Sequence, residues 1–230
     1  MKTIGILGGM SAASTQLYYQ HLCKLTRLEL GGLHSPELLI RSLNFDQIER
    51  HQATGDWQAA AKVLNTEAQM LERGGAQLLL LATNTMHKLA EEMMQGVNIP
   101  MIHIADATAE QIAKAGLQAP GLMATRFTME QDFYIQKLTK AGLSAHIPDE
   151  ADRGTTHNII YEELCKNVVT EESRNRYEQI AQRLIDNGAD CLILGCTEVG
   201  MLLNSGNVNV PVFDTTLIHC KAALVAALAN

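Results

Sequence analysis

The chain has 230 residues, of which 47% are hydrophobic, and it carries a formal net charge of −7. This length supports one large or two small domains, and the acidic balance argues against a nucleic-acid surface, which needs clustered lysine and arginine. No apolar run approaches the ~20 residues of a membrane span, and the N-terminal run is too short for a signal peptide. Five cysteines without paired spacing are typical of free thiols, so we expect a soluble cytoplasmic protein with no nucleic-acid or membrane partner.

The first half of the chain alternates short apolar runs with helical patterns. The predicted strands are Thr3–Leu7, Glu37–Ser42, Leu78–Ala82 and Met101–Ile104. The predicted helices begin at a Ser11 or Ser14 cap, at Trp57 and at Met86, and a further one covers Glu110–Gly116. Gly74 suits the position just past a helix end, where φ is positive. The mixed polarity of residues 44–56 predicts a mobile segment.

The second half repeats this alternation. The predicted strands are Gly121–Met123, Ser144–Ile147 and Cys191–Leu194, and the predicted helices are Glu130–Ala141, Ile159–Cys165, Arg174–Asp186 and Thr216–Leu228. Such alternation predicts parallel sheets with helices on both faces, an α/β fold. We place the crossover at Leu117–Pro120 and a return to the first domain at Val212-Phe213. The predicted domains are therefore residues 1–116 plus 208–230, and residues 117–207.

Four short sequence segments recur in order at a nearly constant offset. The matched pairs are Gly5–Gly8 with Gly121–Ala124, Gly75–Gln77 with Gly188–Asp190, Thr83 with Cys196, and Val97–Pro100 with Val208–Pro211. The offsets are 116, 113, 113 and 111 positions. We infer two similar halves, each presenting one polar residue at the carboxyl end of a buried strand, where ligands bind in such folds.

Cofactor motifs are missing from the sequence. The glycines of Gly5–Gly9 lack the dinucleotide-binding spacing, and there is no phosphate-binding loop. The histidines show no metal-like grouping, and Lys88, the one lysine close to a strand end, has no further sign of a pyridoxal site. We therefore expect no cofactor and no metal.

Cys196 and Thr83 are the candidate catalytic residues. Cys196 follows Gly195 at a turn where a helix is predicted to begin, and a helix N-terminus lowers the pKa of a thiol. Thr83 precedes Asn84-Thr85, which alone would indicate an ordinary helix cap. The repeat makes Thr83 equivalent to Cys196, and two proton-handling groups on opposite faces of a carbon are what inversion at that carbon requires.

These residues resemble the aspartate/glutamate racemase family over nearly the whole chain. The matching segments are Gly8-Gly9-Met10-Ser11 with Ser14-Thr15 and Tyr18-Tyr19, Thr83-Asn84-Thr85-Met86-His87, and Gly195-Cys196-Thr197-Glu198. The resemblance implies cofactor-independent enzymes with two α/β domains related by a pseudo-twofold axis. It also implies an active site in the cleft between the domains, where two cysteines flank the substrate α-carbon.

This sequence has threonine where the family has its first cysteine. A threonine hydroxyl has no thiolate-like state near neutral pH, so Thr83 can only relay a proton if a neighbour polarises it, and His87 is the expected helper. The family's second cysteine deprotonates the L-enantiomer. The resemblance therefore implies L-to-D turnover through Cys196 and slower chemistry from the D-enantiomer.

The resemblance also implies a set of substrate contacts. Backbone N–H groups of Asn84, Thr85 and Thr197 at helix starts suit an α-carboxylate. The remaining predicted contacts and supporting residues are Met10, Thr125, Arg50, Gln52, Lys166 and Glu198. Among these, Arg50, Gln52 and Lys166 are the candidates for binding a side-chain carboxylate. The substrate is expected to be L-aspartate, L-glutamate or a similar amino acid, and the protein a homodimer.

Two other functions stay open at the level of sequence. A decarboxylase of the arylmalonate type, or a maleate isomerase-like enzyme, would use a single cysteine, which suits the lone Cys196. A non-catalytic amino-acid-binding protein would keep the substrate contacts without turnover.

Overall fold

The computed structural model describes residues 1–229 as two compact units. The first unit comprises Met1–His103 and the chain from His219 onward, and the second comprises Ile104–Ile218. Each unit contains a parallel sheet with helices packed against it, so the predicted α/β fold is confirmed. None of the helices within residues 1–229 is long and apolar enough to cross a membrane.

The first unit is organised around four strands. They are β1 (Ile4–Gly8), β2 (Leu38–Ser42), β3 (Leu78–Leu81) and β4 (Met101–Ile102), in the order β2-β1-β3-β4. Its helices in chain order are α1 (Ala12–Leu30), α2 (Phe45–Thr54), α3 (Trp57–Arg73) and α4 (Ala90–Met93), with a 3₁₀ helix at Thr85–Leu89 directly before α4. All four leucines of β3 are buried, as expected of a strand covered on both faces.

The second unit has three parallel strands. They are β5 (Pro120–Ala124), β6 (Cys191–Gly195) and β7 (Val212–Asp214), in the order β5-β6-β7. Its helices are α5 (Ile104–Lys114), α6 (Arg126–Glu130), α7 (Asp132–Lys140), α8 (Glu150–Glu162) and α9 (Glu171–Asp186), with 3₁₀ helices at Leu164–Lys166 and Val199–Met201. The last helix, α10 (Thr215–Leu228), begins in the second unit and continues in the first.

Each central strand carries an apolar layer on both faces. In the first unit, Leu79 and Leu81 pack towards α3, while Leu78 and Leu80 pack with Tyr18 of α1. In the second unit, the corresponding layers form around Leu192 with Leu194 and around Cys191 with Ile193. Full burial of one such aliphatic side chain contributes about 2 kcal/mol, so these layers hold the strand ends in fixed positions.

The internal repeat is visible in the strand register. Leu7 pairs with Leu81 in the first unit, and the equivalent Met123 pairs with Leu194 in the second. Leu80 pairs with Ile102, and Ile193 pairs with Phe213 in the same way. Each residue of these pairs is displaced from its counterpart by the offset found in the sequence. The end of β3 in the first unit and the end of β6 in the second therefore have equivalent strand pairing.

The ends of the units differ from the predicted domain boundaries. Helix α5 belongs to the second unit, because Ile104 and Ile112 pack with Leu122 of β5. Strand β7 also remains in the second unit, where it pairs with β6. The amphipathic pattern of α5 shows that one face is buried but does not show which sheet buries it.

Several local predictions were wrong. Residues 44–56, where no helix was predicted, contain α2, which is capped by Asn44 and ends at left-handed Gly55. The positive φ after α3 belongs to Gly75, at 102°, and Gly74 is helical. The predicted strand Ser144–Ile147 forms only the isolated bridge between Gly121 and His146. The segment after Met86 is mainly 3₁₀, and α4 has a single turn.

Candidate active site

The carboxyl end of β3 places Thr83 beside the first turn of the chain. The Ala82 N–H donates to the Leu7 carbonyl at 2.8 Å, and the Ser14 hydroxyl donates to the Ala82 carbonyl at 3.0 Å. The Thr83 side chain is 8% exposed. Thr83 is therefore held at the end of a buried strand by main-chain bonds to β1 and by the start of α1.

The first turn is shaped by Gly9 and Met10. Gly9 has φ of 84°, and a Cβ there would lie 2.2 Å from the backbone nitrogen of Leu43, so only glycine fits. The Gly9 N–H donates to the Thr15 hydroxyl at 2.7 Å. Met10 is buried and belongs to the same apolar cluster as Leu7, which gives it a packing role in addition to its predicted place in the site.

His87 contacts Thr83 through the main chain. Its Nδ1 lies 2.7 Å from the Thr83 carbonyl oxygen, so the ring donates its Nδ1 proton to that carbonyl. The imidazole is buried, with 2% exposure, and burial lowers its pKa well below the usual value. His87 is thus a neutral residue that fixes the backbone of Thr83, and this hydrogen bond is made to the Thr83 carbonyl rather than to its hydroxyl.

Two further histidines surround His87, although they are distant in sequence. The ring centroids of His103 and His219 lie 4.6 and 5.6 Å from that of His87. His219 bridges the Tyr18 hydroxyl, at 2.7 Å from Nδ1, and the Ile102 carbonyl, at 2.8 Å from Nε2. Because the carbonyl only accepts, Nε2 donates and Nδ1 accepts from tyrosine. Burial lowers the pKa of His219 to about 4.

Asn84 and Thr85 continue from Thr83 as buried residues. Asn84 accepts a bond from the His87 N–H at 3.1 Å, and Thr85 begins the five-residue 3₁₀ helix. No α-helix begins at this strand end, so the expected helix dipole at Thr83 is weak. The buried side chains of both residues nonetheless lie at the predicted position beyond β3.

Gln52 and Arg50 of α2 have different surroundings. Gln52 is buried, and its amide nitrogen lies 2.8 Å from the sulfur of Met86, which places it against the segment that follows Thr83. Arg50 is exposed and paired with Asp46 at 2.8 Å. The helix thus separates the two predicted contacts, because residues two positions apart face different sides.

The carboxyl end of β6 joins Cys196 to Glu198. The Cys196 thiol donates to Glu198 Oε2 at 3.0 Å, and the Thr197 hydroxyl donates to the same oxygen at 2.5 Å. Glu198 is 2% exposed and Thr197 8% exposed. A thiol, a hydroxyl and a carboxylate therefore meet at one oxygen atom at this strand end.

The expected lowering of the Cys196 pKa was wrong. Burial raises the pKa of this thiol well above its ordinary value, and the adjacent Glu198 carboxylate raises it further. The three-residue 3₁₀ helix Val199–Met201 replaces the predicted helix start. Burial and the Glu198 carboxylate therefore both favour the protonated form of Cys196.

The other predicted residues of the second unit are Thr125 and Lys166. Thr125 follows β5, which pairs Ala124 with Gly195, and its hydroxyl caps α6 by accepting from the Thr128 N–H at 3.4 Å. Lys166 is exposed and paired with Glu162 at 2.7 Å. Its neighbour Cys165 is close enough to Glu198 for the carboxylate to raise the Cys165 pKa, which with burial reaches about 12.

Some residues around the candidate site were not among the predicted site residues. They are Tyr18, His103 and His219 in the first unit, and Cys165 and Tyr177 in the second. The Tyr18–His219 pair spans 201 positions, a separation at which a single sequence carries no local pattern. Cys191, the first residue of the predicted strand Cys191–Leu194, is fully buried in β6.

Known proteins resemble this chain over its whole length. The family model for Asp/Glu/hydantoin racemases matches residues 7–223. A crystal structure of a candidate Asp/Glu racemase from Yersinia pestis is 45% identical, with full coverage of both chains and a TM-score of 0.92. The structure of an aspartate racemase homologue from Pyrococcus horikoshii OT3 is 35% identical, again with full coverage, at a TM-score of 0.86. The broad-specificity amino-acid racemase RacX of Bacillus subtilis (strain 168) is 23% identical over 98% of each chain.

Proposed function

The chain belongs to the Asp/Glu/hydantoin racemase family, and from this premise we propose that it racemises L-aspartate, L-glutamate or similar amino acids without a cofactor. Cys196 removes the α-proton of the L-enantiomer, and Thr83 donates a proton to the opposite face of the α-carbon. The two residues follow the strand ends that the internal repeat makes equivalent.

The proposed reaction has two proton transfers. The Cys196 sulfur takes the α-proton, and the C–H electron pair remains on the substrate as a carbanion delocalised into the carboxylate. The Thr83 hydroxyl then gives its proton to the opposite face and regains one from water. General acid–base catalysis of this type typically contributes a factor of about 10² to 10⁴.

The observation that carries the proposal is the equivalence of positions 83 and 196. Each follows the central strand of its unit, and the two strands have the same register with their neighbours. Both positions present a side chain that can bear a proton, a hydroxyl in one unit and a thiol in the other. An inversion needs one such group on each face of the α-carbon.

Several residues complete the proposed substrate contacts. Asn84 and Thr85 would hold the α-carboxylate from one side, and Thr125 and Thr197 from the other. Lys166 would exchange its exposed Glu162 partner for the side-chain carboxylate of the substrate. Such an exchange costs little, because an exposed ion pair contributes about 1 kcal/mol or less.

The test is α-proton exchange in heavy water across a panel of L-amino acids, with chiral separation of the recovered material. We expect deuterated D-enantiomer from L-aspartate or L-glutamate, with no change on adding a chelator or removing pyridoxal phosphate. Neither deuterium nor D-enantiomer from any member of the panel would contradict the proposal and favour an amino-acid-binding protein.

A decarboxylase is the second candidate, and the raised pKa of the Cys196 thiol favours it. Loss of CO2 from a malonate leaves a carbanion that needs only one proton donor, and a thiol with a raised pKa is such a donor. Release of CO2 from an arylmalonate, without deuterium exchange at any amino acid, would replace racemisation by this reaction.

A further inference from the structure

The Cys196 thiol donates its hydrogen to a buried carboxylate instead of to solvent. Its acceptor, Glu198 Oε2, is 3.0 Å away, and the Glu198 side chain is 2% exposed. Removing the thiol proton to bulk water would leave two negative charges 3.0 Å apart, one of them on the buried Glu198 carboxylate and the other on the partly exposed Cys196 sulfur. Like charges at such a distance strongly oppose double ionisation.

We propose that Glu198 is the immediate acceptor of the Cys196 proton and so generates the thiolate that racemisation requires. This proposal rests on the proposed function. The S–H bond of Cys196 breaks, its electron pair stays on sulfur, and the proton binds Glu198 Oε2. The pair carries one negative charge before and after the transfer, so no second charge is created in the buried site.

The thiolate then takes the substrate α-proton, which leaves Cys196 as a thiol and Glu198 as a carboxylic acid. The acid returns its proton to water before the next turnover. Thr197 can pass this proton, because its hydroxyl lies 2.5 Å from the same Oε2 atom. The thiol is thus the resting state of Cys196 and also its state after the α-proton of the L-enantiomer has been removed.

Other titratable and charged groups lie in the same region of the second unit. Cys165, in the 3₁₀ helix after α8, and Tyr177 on α9 interact electrostatically with the pair. Glu163 at the end of α8 interacts with Tyr177, and Lys166 interacts with Cys165, while Arg174 on α9 and Asp214 at the end of β7 have other partners. Burial raises the pKa of Cys165 to about 12 and keeps Tyr177 protonated. Arg174 donates to the Leu202 carbonyl, and Asp214 caps α10. The bond to Cys196 assigns proton acceptance to Glu198 among the acidic groups around this thiol.

Proton transfer within the Cys196–Glu198 pair has a testable consequence for the pH dependence of the wild-type enzyme. Because thiolate forms by transfer within a pair of constant charge, α-proton exchange from L-aspartate should be independent of pH between about 6 and 8. The difference in thiolate absorbance between wild type and Cys196→Ser should stay absent over that range, so that none of the signal comes from Cys196. Exchange that rises about tenfold per pH unit would show ionisation of Cys196 to bulk water and would overturn the proposal.

Glu198→Gln separates proton acceptance from an electrostatic or structural role. Loss of the carboxylate should lower the Cys196 pKa, seen as thiolate absorbance at lower pH, since the carboxylate raises that pKa. Exchange at pH 7 should nevertheless fall by about 100-fold, because the amide cannot accept the proton. The residual rate should rise with pH in parallel with the thiolate absorbance.

Any other behaviour of the folded variant overturns the inference. Exchange near the wild-type rate would remove Glu198 from the reaction, and a loss without change in the pH profile or the thiol pKa would make its role structural. Glu198→Asp retains a carboxylate and should recover part of the rate with a flat pH profile.

The matched control is Glu163→Gln. The Glu163 carboxylate also accepts from two hydroxyls, of Ser173 at 2.6 Å and of Thr170 at 3.3 Å, but it has no bond to Cys196. Exchange and its pH profile should stay as in wild type. If the wild type exchanges no amino acid at all, the proposed function fails, whereas exchange with the wrong pH behaviour defeats only the assignment of Glu198.

Discussion

The two strand-end segments, Ala82–Thr85 and Gly195–Glu198, share a backbone scheme but differ in chemistry. The first segment leads from β3 to the Thr83 hydroxyl, and the main-chain carbonyl of Thr83 accepts a hydrogen bond from the neutral imidazole of His87. The second leads from β6 to a thiol bonded to a carboxylate. An internal repeat can therefore preserve the positions of two polar side chains while the surroundings of each become different.

Thermodynamics limits how far the difference between Thr83 and Cys196 can favour one direction of racemisation. The two enantiomers of an amino acid have equal free energies in water, so the two directions of racemisation must have equal kcat/KM. The unlike groups can still produce unequal exchange, because a deuteron taken up on one face can return to the same face before inversion. The comparison between the segments is therefore best tested by exchange on each enantiomer.

The largest expected effect comes from replacing the thiol. In Cys196→Ser the fold should persist, and α-proton exchange from the L-enantiomer should fall by about 1,000-fold or more, since a hydroxyl is a much weaker acid than a thiol. Cys191→Ser is the control, because Cys191 lies inside β6 and interacts with the Asp190 side chain. Exchange close to wild type in folded Cys196→Ser would remove this residue from the chemistry.

Making the two segments alike should have the next largest effect. Thr83→Cys places a thiol at both strand ends and should raise exchange from the D-enantiomer by about 10-fold or more. Thr83→Ala should retain exchange at L-substrate through Cys196 but lose inversion, because no group then protonates the opposite face. Chiral chromatography with mass detection of deuterium measures both. Normal inversion by Thr83→Ala, with no gain in Thr83→Cys, would reduce Thr83 to a structural residue.

The histidine cluster should make the first unit sensitive to acid. His219 has a folded pKa of about 4, below the ~6.5 of an unfolded histidine, so the unfolded chain binds an extra proton between these values. Stability should therefore be full above about pH 6.5 and decrease by about 3 kcal/mol as the pH falls towards 4.

Denaturant unfolding of wild type and His219→Asn at several pH values checks this prediction. The variant should show a smaller loss of stability on acidification. His157→Asn in the second unit is the control, because His157 is only half-buried and its pKa is less strongly lowered. Equal pH dependence in His219→Asn and wild type would contradict the assignment of acid sensitivity to this cluster.

The smallest effect should come from the two exposed cations. Lys166→Ala should raise KM for aspartate and glutamate by about 10-fold, while leaving amino acids without a side-chain carboxylate unaffected. Arg50→Ala removes a similar exposed pair, with Asp46, and should change neither KM nor kcat. A raised KM in Arg50→Ala with an unchanged KM in Lys166→Ala would instead assign recognition of the side-chain carboxylate to Arg50 in the first unit.

The central part of the fold was predictable because it depends on local pattern. The unbroken leucines of β3 and the glycines around them indicate a strand covered on both faces, and the offset of 113 positions located its counterpart β6. Helix α2 escaped prediction because Ile48 is its one fully apolar buried residue, and the polar Gln52 fills the next position on that face. Burial of Gln52 against Met86 is a tertiary effect.

The positions of Thr83 and Cys196 were predictable from sequence, but their environments were not. A turn followed by polar residues suggested a helix N-terminus at Cys196, whereas the chain forms three residues of 3₁₀ helix there. Burial then raises the thiol pKa, and the Glu198 side chain, two positions along, raises it further. The sign of a pKa shift depends on side-chain direction and burial, which spacing alone does not specify.

The most direct measurement compares exchange on the two enantiomers in one wild-type preparation. Initial rates of α-deuterium incorporation would be measured for L-aspartate and D-aspartate in heavy water, with deuterium counted in both the recovered substrate and the inverted product. We expect L-aspartate to gain deuterium, both with retention and with inversion, at least about 10-fold faster than D-aspartate gains it with retention. Equal rates with retention would mean that Thr83 and Cys196 act as equivalent bases and would contradict the proposed division of labour.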